Sequence, residues 1–306
     1  MAGIFIFSED SALAKQLLTP ALELKQSLAQ PITALTLSES DAKELASLGA
    51  DKVVVLESAN QWVEAFAEAI YAQVSTASVL LVGGTLRGKH VAAYIAAKLN
   101  AGMTTDAKAL RIQGGKLLAT RVLYAGLAVC EEEVALPAVV TIRARTFLAP
   151  PAASTTGPVE TSAVKTDNRI TVNKVTSTSA AGVDITAANK LVAVGRGFRK
   201  KEDLGLAEDL GGVLKAELAC TRGVAEDDHW LPIERYIGIS GQTVKPELYV
   251  AVGLSGQVQH MVGCRESKII VAVNNDERSP IFEATDYGIV GDLYEVLPLL
   301  TAALRK

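Results

Sequence analysis

The chain has 306 residues, of which 49% are hydrophobic but only 5% aromatic, and a formal net charge of -4. That length supports two domains with separate cores, and a hydrophobic share carried by Ala, Val, Leu and Ile suits parallel strands covered by helices on both faces. The charge balance excludes a basic field for nucleic acid or an anionic membrane surface, and no apolar run is long enough to insert in a bilayer.

From the start the pattern alternates strand and helix. Gly3 to Phe7, Ile32 to Leu37, Lys52 to Leu56 and Ser78 to Val82 read as strands, with helices over Ala12 to Leu28, Asp41 to Leu48 and Gln61 to Val74. This rhythm predicts a doubly wound parallel sheet with right-handed crossovers. The opening residues reach Glu9 and Asp10 without a basic segment, unlike a signal peptide.

After the fourth strand, Gly83-Gly84-Thr85-Leu86-Arg87-Gly88-Lys89-His90 satisfies Gly-x4-Gly-Lys and opens the alternative of a P-loop-like protein that binds or hydrolyses ATP. His90 stands where a P-loop needs a hydroxyl on magnesium, which favours a plain glycine-rich turn at the start of a basic helix. Residues 109 to 121 predict a hairpin turning at Gly114-Gly115, and Ala138 to Arg143 a further strand, so antiparallel strands are added to the first domain. The run Glu131-Glu132-Glu133 reads as a solvated edge, since consecutive strand residues point to opposite faces. Pro150 to Pro158 is a surface loop, Arg169 to Ser177 the last strand of this domain, and the alanine-rich stretch from Ser179 to Asn189 the junction. The expected domains are residues 1–187, a scaffold, and 188–306. Cys130, Cys220 and Cys264 follow no metal or disulfide spacing and suit a reducing, cytoplasmic setting.

In the second half, Lys190 to Val194, Glu217 to Cys220, Pro246 to Val252 and Lys268 to Val273 predict strands of a second parallel sheet. A helix covers Glu202 to Leu214, and the terminal helix starts within Gly288 to Leu293. Arg196, Thr221, Arg222, Ser240, Ser255 to His260, Asn274 and Asp292 then fall at or just beyond strand ends, the rim where open parallel sheets hold ligands. Gly253-Leu254-Ser255-Gly256 running from a strand into a short helix is an anion-binding pattern, and Gln259-His260 is a polar pair in apolar surroundings that wants a partner. Lys200 replaces the third glycine of a dinucleotide fingerprint after Gly195-Arg196-Gly197. His229 sits in a loop with no second metal ligand at helical spacing.

The segments Gly195-Arg196-Gly197, Pro246 to His260, Pro280-Ile281-Phe282 and Asp286 to Leu293 resemble the signature of electron transfer flavoprotein alpha subunits. Thr221-Arg222, the loop before Ser240 and the run from Ser255 to Gly263 are most similar to the branch associated with carnitine metabolism and nitrogen fixation. The resemblance implies one FAD in the C-terminal domain and a separate beta subunit, docked by the first domain. It also implies an electron-carrying role through an anionic flavin semiquinone, with no catalytic or metal-ligating residue of the chain's own. An acyl-CoA-type dehydrogenase or a quinone reductase would be the redox partner. Carried over by position, Arg196, Ser255, Gly256 and Asn274 would hold the pyrophosphate and ribityl side, and Asp292 with Leu293 the adenosine end. Arg222, Ser240, Gln259 and His260 would surround the isoalloxazine, His260 as a donor to the ring. Thr221, Ile237, Gly238, Ile239, Gln257 and Val258 complete the cofactor-binding set. The family often has Gln-Thr where Ile239-Ser240 stands, so the Ser240 hydroxyl takes the flavin N5 contact.

Overall fold

The computed structural model describes residues 2–60, 62–124, 128–169, 172–174 and 184–305, and the chain divides into two compact units, Met1–Thr176 and Ser177–Lys306. In the first, β1 (Gly3–Phe7), β2 (Ile32–Thr36), β3 (Lys52–Glu57) and β4 (Ala77–Gly83) alternate with α1 (Ser11–Leu28), α2 (Glu39–Ser47), α3 (Ala67–Val74) and α4 (Leu86–Leu99). With β5 (Gly102–Thr104), β9 (Ala138–Ile142) and β10 (Val159–Ala163) they form a seven-stranded, wholly parallel sheet in the order β10-β3-β2-β1-β4-β9-β5. Strand alternation decides what each face packs against. Ile4 and Ile6 meet the layer built by α1 and α2, whereas Phe5 and Phe7 meet the layer of α3 and α4. Both faces are buried, as the apolar runs of the sequence require.

A three-stranded antiparallel sheet, β6 (Ala107–Gln113), β7 (Lys116–Leu123) and β8 (Ala128–Val134), turns at Gly114-Gly115 as its sequence predicts. Its acidic run is matched across the strands, Glu131 by Arg111 at 2.5 Å, Glu132 by Arg121 at 2.6 Å and Glu133 by Lys116. Among the described residues no His, Cys, Asp and Glu cluster could hold a metal, and no helix is long and apolar enough to cross a membrane.

Two expectations change. The edge strand of the first sheet is Val159–Ala163, parallel to β3, whereas Asn168 and Arg169 form a turn and 172–174 are irregular; the rest of the expected strand from Arg169 to Ser177 lies outside the described residues. An exposed edge strand pairs through backbone alone and carries little apolar signature. Residues Tyr287–Val290 are likewise not the start of the terminal helix but β15, an edge strand beside β14 (Ile270–Asn274). The helix α7 begins at Leu293, where the Asp292 carboxylate accepts from the N–H of Tyr294 at 2.9 Å.

The Gly83-to-Lys89 turn is consumed by its own fold. Gly84 N–H donates to the Ile142 carbonyl at 2.7 Å, the Thr85 hydroxyl accepts from Gly88 N–H at 2.8 Å, and Lys89 pairs with Asp106 at 2.9 Å. A Cβ on Gly88 would lie 2.0 Å from the Gly83 oxygen, so no cradle is left for a phosphate. Thr85 is therefore a helix cap. Its replacement by Ala should cost about 1–2 kcal/mol in urea unfolding. Titration with magnesium and ATP should show no binding before or after the change; tight binding by the unaltered protein would return this turn to a phosphate role.

Candidate functional site

The second unit is a five-stranded parallel sheet in the order β12-β11-β13-β14-β15, built by β11 (Lys190–Val194), β12 (Glu217–Cys220), β13 (Leu248–Val252), β14 and β15. One face is covered by α5 (Gly205–Leu214) and α7 (Leu293–Leu304), the other by α6 (Val258–Met261) and the turn Pro280–Ala284. The chain leaves β11 toward one edge and β13 toward the other, so the strand order reverses between them. That switch point is where an open parallel sheet presents a crevice to a ligand.

Glycine makes the crossing possible. Gly195 donates to the Val252 carbonyl at 3.0 Å and Gly197 to the Gly253 carbonyl at 2.8 Å. A Cβ on Gly195 would sit 2.5 Å from the Gly253 oxygen, and one on Gly197 would sit 2.7 Å from the Gly253 Cα. Gly253 and Gly256 lie in the left-handed region, at φ +59 and +72.

Because all five strands run the same way, their carboxyl ends share one rim. Arg196 follows β11, Thr221 and Arg222 follow β12, Ser255 and Gly256 follow β13, Asn274 ends β14, and Asp292 and Leu293 follow β15. The loop of Ile237, Gly238, Ile239 and Ser240 joins this rim through Ile237 N–H to the Cys220 carbonyl at 3.0 Å and Ile239 N–H to the Gln259 carbonyl at 2.9 Å. Ser240, Ser255, Gln257, Val258 and Gln259 are exposed. A cleft of about 130 Å³ runs past Gly197, Gly253, Asn274, Asn275 and Asp292.

The donors left over define what the rim can hold. Among the described residues, nothing accepts from the backbone N–H groups of Ser255, Gly256, Gln257 and Val258, although Gly256 is buried. Arg196 lies nearby in the fold, its aliphatic stem over Gly223, where an added Cβ would come within 2.9 Å of Arg196 Cδ. The Arg222 guanidinium is exposed and anchored by Glu226 at 2.5 Å. Open N–H groups on a rim that also carries Arg196 and Arg222, approached across glycines, suit the phosphates of a dinucleotide cofactor.

Two buried side chains organise this rim from behind. Asn274 donates to the Leu254 carbonyl at 2.9 Å and to Ser279 Oγ at 3.2 Å, and its Oδ1 accepts from Asp276 N–H at 3.0 Å. All of its amide capacity in view ties the loops after β13 and β14 together. His260 is also buried, with Nε2 2.7 Å from the Tyr249 hydroxyl and Nδ1 3.0 Å from the Ile237 carbonyl. Of the Gln-His pair, His260 has its partners within the chain, whereas Gln259 is exposed. Tyr249 and Ser279 were not apparent as site residues from sequence. A tyrosine in an otherwise apolar strand was the available signal, since its buried hydroxyl needs a partner.

Comparison with known proteins identifies two matching family models and a set of full-length relatives. A family model for the electron transfer flavoprotein domain matches residues 9–167, and one for the electron transfer flavoprotein FAD-binding domain matches residues 184–265. Protein FixB of Escherichia coli O127:H6 is 41% identical over 313 aligned residues, covering 99% of this chain and 98% of the relative. The FixB proteins of Escherichia coli O157:H7 and Shigella flexneri match with the same identity and coverage.

Burial pushes the His260 imidazole down to about 4, outweighing the Ile237 carbonyl that favours its protonated form. The unfolded chain binds the proton near the ordinary histidine value, so the stabilising effect is complete above about pH 6.5 and drains as pH falls toward 4. Urea unfolding should lose about 3 kcal/mol across that window. A His260→Gln variant, followed through the same series, should lack this component; an identical decline would assign it to other groups.

Proposed function

Because the chain belongs to the electron transfer flavoprotein alpha family, in which it is an FAD-containing electron carrier, we propose that its C-terminal rim holds the FAD along the switch point between β11 and β13. The observation that supports this reading is the row of open N–H groups after β13, on the same rim as Arg196. Bound FAD supplies the isoalloxazine, which takes up and releases electrons.

The chain's own residues bind and orient. Ser255, Gly256 and Arg196 hold the pyrophosphate, with Gln257 and Val258 continuing the same N–H row. Asn274 keeps the neighbouring loops at a fixed spacing, toward the ribityl side. Asp292 and Leu293 close the adenosine end, where one carboxylate oxygen already caps α7. At the redox end, Thr221 and Arg222 come from β12, and Ile237, Gly238, Ile239 and Ser240 from the loop beside it, with Gln259 from α6. Arg222 supplies positive charge in an orientation fixed by Glu226, which favours electron uptake at a nearby group that gains negative charge. The Ser240 hydroxyl takes the contact to a ring nitrogen in this reading, and its exposure and free rotation, which let it donate or accept, support that.

The family pairs this chain with a beta subunit and with redox partners in general. The finer reading takes an acyl-CoA-type dehydrogenase or a quinone reductase as that partner, and residues 1–187 as the scaffold that docks the beta subunit. The three free cysteines support a reducing, cytoplasmic setting for the complex.

Co-expressed with its beta subunit, the protein should purify yellow and release FAD on denaturation; a colourless preparation of the assembled pair would overturn the reading. Arg222→Ala should retain the flavin and lower its first reduction potential by on the order of 60 mV, a tenfold change for a one-electron couple. Spectroelectrochemical titration reads this directly, and an unchanged potential would remove Arg222 from the redox end.

A further inference from the structure

The cleft past Asp292 has two lining residues outside the cofactor set, Arg199 in the loop after β11 and Tyr294 in the first turn of α7. Tyr294 is fixed at both ends. Its N–H donates to the Asp292 carboxylate at 2.9 Å, while its hydroxyl donates to Asp203 at 2.6 Å and accepts from Arg199 N–H at 2.8 Å. The buried Phe198 packs edge to face against its ring, with centroids 6.5 Å apart. Burial, and then the bond to Asp203, raises the Tyr294 hydroxyl above its ordinary value, so it stays protonated and keeps donating.

On that ring lies a cation. The Arg199 guanidinium sits with Cζ 4.8 Å from the Tyr294 centroid, and its Nη2 is 3.8 Å from Asp292 Oδ2. A planar cation over a ring face is attracted by the ring's quadrupole. The Asp292 contact is too long for a hydrogen bond, so it leaves Oδ2 able to accept from a ligand, whereas Oδ1 is already spent on α7. The guanidinium also has a second face. With 76% of the side chain exposed and no hydrogen bond to its N–H groups among the described residues, that face is available to a flat group entering the cleft. Gly197 and Gly253 line the same cleft and put no side chain into it.

Charge and shape together narrow the ligand. An arginine beside a carboxylate has little net charge to offer a phosphate, which the N–H row after β13 takes in the reading above. A nucleobase presents a flat face on which a guanidinium can stack, and its ribose presents hydroxyl donors to a carboxylate. We propose that Arg199, seated on Tyr294, stacks on the adenine of the cofactor and closes the adenosine end, with Tyr294 as the positioning residue beneath the guanidinium and Asp292 Oδ2 accepting from the ribose. Arg199 then selects a flavin dinucleotide by the half that does no redox chemistry. This inference rests on FAD lying along the rim, as proposed above.

The test uses the FAD-loaded heterodimer, with the dissociation constant for FAD and the flavin reduction potential measured on the same samples. Arg199→Ala should weaken FAD binding about tenfold and leave the potential where it was, because the lost contact is at the adenosine end. Arg199→Lys should weaken it as much, since an ammonium keeps the charge but not the planar face. Tyr294→Leu should also weaken it about tenfold, and adding Arg199→Ala should cost nothing further, which a merely structural role for Tyr294 would not produce. FAD held by Arg199→Ala as tightly as by the parent, or a potential that moves with the affinity, would overturn the proposal. So would Arg199→Lys with the parent's affinity, the result expected of a phosphate contact, and so would losses that multiply in the double variant. If Tyr294→Leu does not assemble, the two Arg199 variants still decide. A parent heterodimer without flavin would count against the function instead. ADP then probes the same cleft, and its binding should weaken about tenfold in Arg199→Ala, an unchanged constant again overturning the proposal.

Discussion

The second unit depends on one close approach, that of the chain leaving β11 to the chain leaving β13. Gly195 and Gly197 donate into the Val252 and Gly253 carbonyls, with no room for a Cβ at either donor. This contact holds the two strand ends together while their connections depart to opposite edges of the sheet. Gly253 takes a left-handed conformation that most side chains would make costly, and the N–H groups from Ser255 to Val258 have no acceptor among the described residues. An alanine at any of these three glycines would disturb the crevice itself, whatever it did to overall stability.

Around that contact, the buried polar groups serve as ties between loops. Asn274 joins the loops after β13 and β14; His260 joins α6 to the loop of Ser240, with Tyr249 behind it. A buried polar group without a partner costs about 1–3 kcal/mol, so each tie is satisfied only when both loops are in place. The rim is therefore rigid where its exposed residues must be aimed. Its charges are left at the surface: Arg196, Arg222 and Asp292 are exposed, and Arg222 alone among them is held within 2.5 Å by a carboxylate.

Most of the architecture was legible because the hydrophobic runs are long and bounded by glycine. β1, β11 and β12 have the predicted limits, and the hairpin turns where Gly114-Gly115 places it. The solvent-exposed edge strands β10 and β15 were not legible, since almost none of their residues is buried and they owe their conformation to the ladder of a neighbour, whereas the edge strand β12 is largely buried. At the site, strand-end polar residues announced the rim, because a parallel sheet collects its carboxyl ends. The direction of a side chain was beyond reach. Gln259 and His260 are adjacent and both polar, yet one is exposed and the other points into the core. Only the position of Tyr249, eleven residues away in sequence, shows why the His260 ring turns inward, toward a buried hydroxyl.

The two glycine-rich turns make the same point about hydrogen-bond accounting. Gly83-Gly84-Thr85 and Gly253 to Gly256 both follow a buried parallel strand and precede a helix, and both carry a hydroxyl residue. In the first, Gly84 N–H is taken by Ile142 and Gly88 N–H by the Thr85 hydroxyl, so the helix start is already capped. In the second, Ser255 instead gives its carbonyl to Ile281 N–H and to the Ser279 hydroxyl, and the N–H groups from Ser255 to Val258 remain without a partner among the described residues. An anion is favoured where donors are left over, and glycine alone does not leave them over. What separates a structural turn from a phosphate site is whether a neighbouring strand end or a capping side chain lies close enough to take the donors first, a property of the fold around the motif.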